Sequence, residues 1–346
     1  MSDKEKLIDV PARPQSVPAW FYEEDGWCGL TKAAFLWWAN GLAFSFHLTL
    51  AVASVIVATL DGKTMATPLL TVYLTNLTWV ANSTDALIPR NQAADGLYLA
   101  HMVLWFFLLS ALAHGTIMAF NYRQAFAVND ADARAITRWT GWYYLWIHEC
   151  RNPARWFEYA FSASLMGMVF AVAGGVAHLY MVLMIFGLLW STMFFGYHAE
   201  VVCRPVNLGP DKRAKYWQMN NENPQLLAFP ELGARINRLA PNCLGYVPYA
   251  FVWGPLLHSF FFNVAGAEQG PPSFVYVIIV SQLILFSCFG FTQFISLWRE
   301  DGPSFFYWSE FSYQVLSVLA KGVLGLVLMV NVLLFDSFDE AVADAS

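Results

Sequence analysis

Charge is scarce in this sequence. Only 13% of the residues are Asp, Glu, Lys or Arg, against 58% hydrophobic, and a mean hydropathy of +0.45 is too apolar for an ordinary soluble domain of this length. Cysteine is also sparse. The five present (Cys28, Cys150, Cys203, Cys243, Cys288) form no CxxC pair, and the seven histidines form no HExxH or similar spacing, so neither a metal cluster nor a disulfide framework is expected. There is no GxGxxG, Walker loop or GxSxG elbow, which leaves nucleotide and hydrolase chemistry without a basis. No nucleophile–base pair points to an enzyme. A net charge of -6 argues against nucleic-acid binding as the main task.

What is abundant is long apolar sequence. A hydrocarbon core about 30 Å thick needs roughly 20 helical residues, and seven stretches of that order stand at 34–60, 95–120, 153–175, 176–203, 242–263, 272–298 and 304–335. This predicts an all-α, multi-pass membrane protein embedded in the lipid bilayer. The division between the third and fourth stretches rests only on Gly174-Gly175 in AVAGGVAHLY; one continuous helix there would invert every later span. The opening MSDKEKLIDVPARPQSVPAW holds no apolar run of signal-peptide length, so the first span is expected to direct insertion.

Orientation follows from the basic residues, which stay on the cytoplasmic side near span ends. Of nineteen Lys and Arg, only Lys63 and Arg90 fall opposite the N-terminus and Lys321 falls inside a span. The N-terminus is therefore expected in the cytoplasm and the acidic tail DSFDEAVADAS outside. The expected organisation is a cytoplasmic extension (1–33), a membrane domain (34–335) and an external tail (336–346). The loop after the first span carries two sequons on the expected outer side, at Asn76 and Asn82, which are candidate N-glycosylation acceptors. It also contains TVYLTNLTWV, alternating and β-branched, the pattern of a short external hairpin strand. The cytoplasmic connections 121–152 and 204–241 hold most of the basic residues; the general charge bias accounts for this, and a surface for a partner or anionic lipid is the sharper alternative.

One lysine breaks the pattern. Lys321 lies within FSYQVLSVLAKGVLGLVLMVNVLLF, where an ammonium at mid-bilayer costs roughly 2.5–3.5 kcal/mol on insertion scales. It could serve in a transport path, in a structural pair between helices, or as the attachment point of an aldehyde, since desolvation favours the neutral amine such an attachment needs. Ser317 lies one helical turn before it on the same face. Glu158, in RNPARWFEYAFSASLMGM, is the opposite charge deep enough to meet it, because both helices run outward from the cytoplasm and the lysine side chain leans back toward its own N-terminus. Glu310 is expected nearer the cytoplasmic surface.

RWFEYAFSAS in the third span and SVLAKGVLG in the seventh, with seven spans and an internal N-terminus, resemble the heliorhodopsins, retinal proteins inverted relative to other microbial rhodopsins. The resemblance covers the membrane core, about half the chain, and implies a rhodopsin-like bundle. It further implies that Lys321 binds all-trans retinal covalently as a Schiff base, that Glu158 is the counterion, and that Ser317 and Ser110 stand beside it. SALAHG supplies Ser110 and His114, and NGLAFSFH supplies His47, with Asn40 nearby; the resemblance makes these a polar cavity able to accept or store a proton. In the sixth span Phe-Ser-Cys-Phe-Gly differs from the more polar stretch expected of the family. Phe286 and Phe289 are the candidates for packing on the polyene, with Trp156, Tyr159 and Trp253 behind them. The reading that follows is a photoreceptor whose output is a conformational signal on its cytoplasmic loops, long enough to suit a signalling partner; the resemblance also implies a homodimer. Light-gated or light-driven transport of protons or other ions is the alternative, and a transporter or receptor without retinal, using a Lys–Glu gating pair, is a third.

Overall fold

The computed structural model describes residues 15–23, 29–60, 66–74, 89–202, 230–266, 271–299 and 302–331. The sequons, the acidic tail and most of 204–241 lie outside the described residues.

Helices α1 (Lys32–Leu60), α2 (Leu99–Ala125), α4 (Pro153–Ala173), α5 (Leu179–Tyr197), α6 (Pro230–Gly266), α7 (Ser273–Arg299) and α8 (Pro303–Asn331) make the bundle, with a short α3 (Trp142–His148) before α4. Six of them (α1, α2, α4, α5, α7 and α8) are long and apolar enough to cross a membrane, and the chain is an integral multi-pass membrane protein. The fifth expected span, 242–263, falls inside the longer α6, which is not one of those six and carries Pro241, Pro248 and Pro255. Between α1 and α2, strands β1 (Ala66–Leu74) and β2 (Pro89–Tyr98) pair antiparallel, Ala66 opposite Tyr98 and Leu74 opposite Pro89. Their register slips between Thr67 and Leu69, where Pro68 has no N–H to give the ladder.

The division after the third span is real and its cause is local. α4 ends in a Schellman arrangement: Val176 N–H reaches the Ala171 carbonyl, Gly175 N–H reaches that of Val172, and Gly175 takes φ +90°, where a side chain would be strained. α5 then returns as a separate antiparallel helix. Its C-terminal end passes into a π turn, His198–Val202. α4 starts as abruptly, with Asn152 accepting the Arg155 backbone N–H at 3.2 Å and Pro153 in the first turn.

α4 is the central helix, with 72% of its most apolar window buried against 28–56% for the other five candidate spans. It packs on α2, α5, α7 and α8. Large apolar side chains such as Leu42, Trp105, Phe262 and Phe291 on the other helices, and Phe157 on α4 itself, point outward, as a lipid-facing surface requires. At the end of the bundle where α1, α4 and α8 begin, a second apolar cluster joins Val17, Phe21 and Tyr22 of the N-terminal segment to Tyr143, Tyr144 and Ile147 of α3 and to Phe306 and Tyr307 of α8. The segment is pinned there by the Tyr22 hydroxyl donating to the Gln124 carbonyl at 2.8 Å and by backbone bonds from Val17 to Arg134 and from Ile136 to Gln15.

Candidate functional site

Lys321 is 2% exposed and Glu158 9%. Their side chains meet across the bundle, Nζ to Oε1 at 3.2 Å. The lysine Nζ also donates to Ser317 Oγ at 2.9 Å, one turn back along α8, and lies 5.0 Å from the centre of the Tyr159 ring. Glu158 is held from the other side. Ser110 of α2 donates to the same Oε1 at 2.6 Å, and with a charged acceptor that close this bond prevails over its 3.1 Å alternative to the Phe106 carbonyl. Lys321, Glu158, Ser317 and Ser110 thus form one contiguous group contributed by α8, α4 and α2.

Beside this group His114 Nδ1 lies 2.7 Å from Asn40 Oδ1. The tautomer follows from the neighbours. Asn40 Nδ2 donates to the Leu36 carbonyl at 2.8 Å, which turns its oxygen to the imidazole, so His114 donates from Nδ1 and leaves Nε2 to accept. His47 stacks on His114 with ring centres 5.7 Å apart, and neither of its ring nitrogens has a hydrogen-bond partner among the described residues. Asn40, His114 and Glu158 line a polar cavity of about 30 Å³ together with Arg155, Glu310 and Gln314, enough room for ordered water between polar walls.

The far wall of that cavity holds a network that the sequence did not reveal. Glu310 is 3% exposed, and Arg155 at the start of α4 bridges it to Glu200 of the π turn. Arg155 Nη2 meets Glu200 Oε2 at 2.5 Å, Nη1 meets Glu310 Oε2, and the guanidinium lies 3.8 Å from the Tyr313 ring centre. Asn152 adds two bonds of 2.7 Å, from its backbone N–H to Glu200 and from Nδ2 to Glu310. Tyr143 of α3 donates to Glu310 at 3.3 Å and accepts from Gln314 at 3.0 Å. Sequence reasoning missed this network, although Glu200 in FFGYHAEVV and Glu310 in SFFYWSEFSY are both acids inside apolar runs, the same signal that marked Glu158.

On its other side Lys321 opens into a larger cavity of about 70 Å³, whose walls include Trp156, Tyr159, Phe286 and Phe289. Four of the five expected aromatics therefore line it. Trp253 stands behind, stacked on Phe170 at 5.0 Å and edge-on to Phe286 at 6.4 Å.

The heliorhodopsin family profile matches residues 36–219 and 225–333. No curated protein matches the chain. Among solved structures it is similar to a crystal structure of thermophilic rhodopsin, at 10% identity and a TM-score of 0.49, over 91% of this chain and 95% of that one; likeness at that level bears on neither chemistry nor function. The family match spans most of the chain and takes in Lys321, Glu158 and both polar networks beside them, and on that match the chain belongs to the heliorhodopsin family.

Proposed function

We propose that this chain is a light sensor that holds all-trans retinal on Lys321 and transmits a conformational change to its cytoplasmic loops. Family membership supports a retinal-binding, photoactive membrane protein rather than a classical enzyme. The observation that carries the finer reading is the buried Lys321–Glu158 pair, 3.2 Å apart, at the edge of an aromatic-walled cavity. The residues present fit the cofactor: a buried amine within reach of a carboxylate, and flat apolar walls. Retinal, condensed with the Lys321 amine with loss of water, supplies light absorption and isomerisation.

The rest is the work of this chain's own side chains. The Glu158 carboxylate balances a positive charge at the lysine nitrogen, and Ser110 and Ser317 fix the two partners' orientation. His114 Nε2 is the free acceptor in the adjoining polar cavity, so a proton released at the lysine has a place to go on the cytoplasmic side. Moving that charge alters the electrostatic balance between α4 and α8, which also share the Arg155–Glu310 bridge, and so biases how the cytoplasmic ends pack. Seven spans, an internal N-terminus, an external C-terminus, a homodimer and a cytoplasmic partner belong to the same proposal.

Proton transport through the same bundle is the second reading, favoured by the histidine cavity. A pump needs ionisable groups on both sides of the lysine, yet the outer halves of the described helices carry no acidic residue, which supports sensing. An absorption spectrum after addition of all-trans retinal, repeated on Lys321→Ala and Glu158→Gln, tests the core of the proposal. A visible band is expected, absent in the lysine variant and displaced in the glutamate variant. No band in the native protein would return Lys321 to the class of gating pairs. Illuminating vesicles that contain the protein, with and without a protonophore, then separates sensing from transport: a light-dependent pH change abolished by the protonophore would establish the latter.

A further inference from the structure

The large cavity has a polar end that the Lys321 chemistry does not use. Gln293 of α7 and Asn242 of α6 both line it and both are more than nine-tenths buried. Gln293 Nε2 donates to the Gly196 carbonyl at 2.7 Å, and Asn242 Nδ2 donates to Gln293 Oε1 at 2.7 Å. A backbone carbonyl can only accept, so it fixes both amides in turn: nitrogen of Gln293 to Gly196, oxygen of Gln293 to Asn242, nitrogen of Asn242 to Gln293. The relay ends in Asn242 Oδ1, a buried acceptor without a partner among the described residues. Such an atom is unfavourable until a donor reaches it. Tyr246, Tyr249 and Thr192 line the same cavity.

This end stands well away from the lysine. Gln282 donates to the Ala320 carbonyl at 3.1 Å and so marks the level of Lys321 on α7; Gln293 lies eleven residues further toward the cytoplasm, about 16 Å along the helix. Phe286 and Phe289 come between them on α7, and Trp156 and Tyr159 of α4 line the same cavity. The cavity is therefore reactive at an amine, apolar along its walls and hydrogen-bond accepting at a distance comparable to an extended polyene.

We infer that this cavity selects a retinal whose ring carries a hydroxyl group, with Asn242 Oδ1 as the acceptor for that hydroxyl. The inference rests on the retinal reading above and adds the identity of the ligand's other end. The test is competitive uptake by the purified, chromophore-free native protein of all-trans retinal and all-trans 3-hydroxyretinal, followed by the visible band and by extraction of the bound pigment. One additional hydrogen bond to a buried acceptor should favour the hydroxylated form by about fivefold to tenfold. Asn242→Leu should remove that preference while still forming a visible band with plain retinal. Equal uptake by the native protein, or a preference that survives in Asn242→Leu, would overturn the inference while the retinal reading stands; the donor at Asn242 would then be a buried water. Absence of a visible band with either pigment would overturn both. The native competition decides the matter even where the leucine variant does not fold.

Discussion

Arg155→Ala would leave the carboxylates of Glu200 and Glu310 buried side by side with only neutral donors. Removing one partner of a buried charge cluster costs about 3–5 kcal/mol, so the variant should melt well below the native protein in detergent. Arg155→Lys restores the charge but not the planar fork that serves two acids at once, and should recover only part of the loss. A melting temperature unchanged in the alanine variant would mean that the cluster is not formed in solution. The same residues mark where sequence reading stops. Lys321 and Glu158 were legible because a charge inside an apolar run is costly and must be answered by another. Arg155 was counted with the cytoplasmic basic residues and so hidden, and Glu310, at the start of its span, was expected toward the surface and so given no partner. Asn152 and Tyr143 were illegible for a different reason: they reach Glu310 across 158 and 167 residues of chain, a distance over which local pattern carries no information.

Helices here approach closely where one of them offers a glycine, and the energetic value of each glycine depends on what it faces. A Cβ at Gly325 of α8 would overlap the Phe107 ring of α2, and one at Gly167 of α4 would overlap the Cδ1 end of Leu189 on α5. A ring confined in the core cannot turn aside, whereas a leucine can change rotamer. Gly325→Ala should therefore destabilise by about 1–3 kcal/mol and Gly167→Ala by distinctly less; equal losses in thermal melts would contradict this account of the packing. Outside the membrane, the N-terminal segment makes a pH-dependent contact. Burial raises the Tyr22 phenol from its ordinary value of 10.0 to about 12, against the opposing pull of Arg134. The raised value favours the neutral form in the folded state, so the contribution is complete below pH 10 and is lost as the pH rises toward 12. Native stability relative to Tyr22→Phe should stay constant below pH 10 and fall above it; a difference that does not change with pH would show that Tyr22 is not buried in solution. Element boundaries were read more coarsely than this. The break at Gly174-Gly175 was marked by two glycines, but the reach of α2 to Ala125 and of α6 back to Pro230 was not, because polar residues can continue a helix beyond the apolar segment.

For the whole molecule, the proposed orientation makes a direct prediction. An epitope tag at the N-terminus should be hidden from antibody in intact cells and revealed by permeabilisation, while a tag after Ser346 should be reached without it; the opposite pattern would invert the assignment of both polar networks to the cytoplasmic side. One local irregularity has consequences on this scale. The π turn at His198–Val202 holds one residue more than an α-turn would, and each residue of helix turns the chain by about 100°. Deleting a single residue there would swing Glu200 away from Arg155 without moving the axis of α5. The angular register of that helix end is thus keyed to α4 and, through Arg155, to α8: the extra residue aims Glu200 at the guanidinium, and a turn one residue shorter would leave a buried acid without its bond.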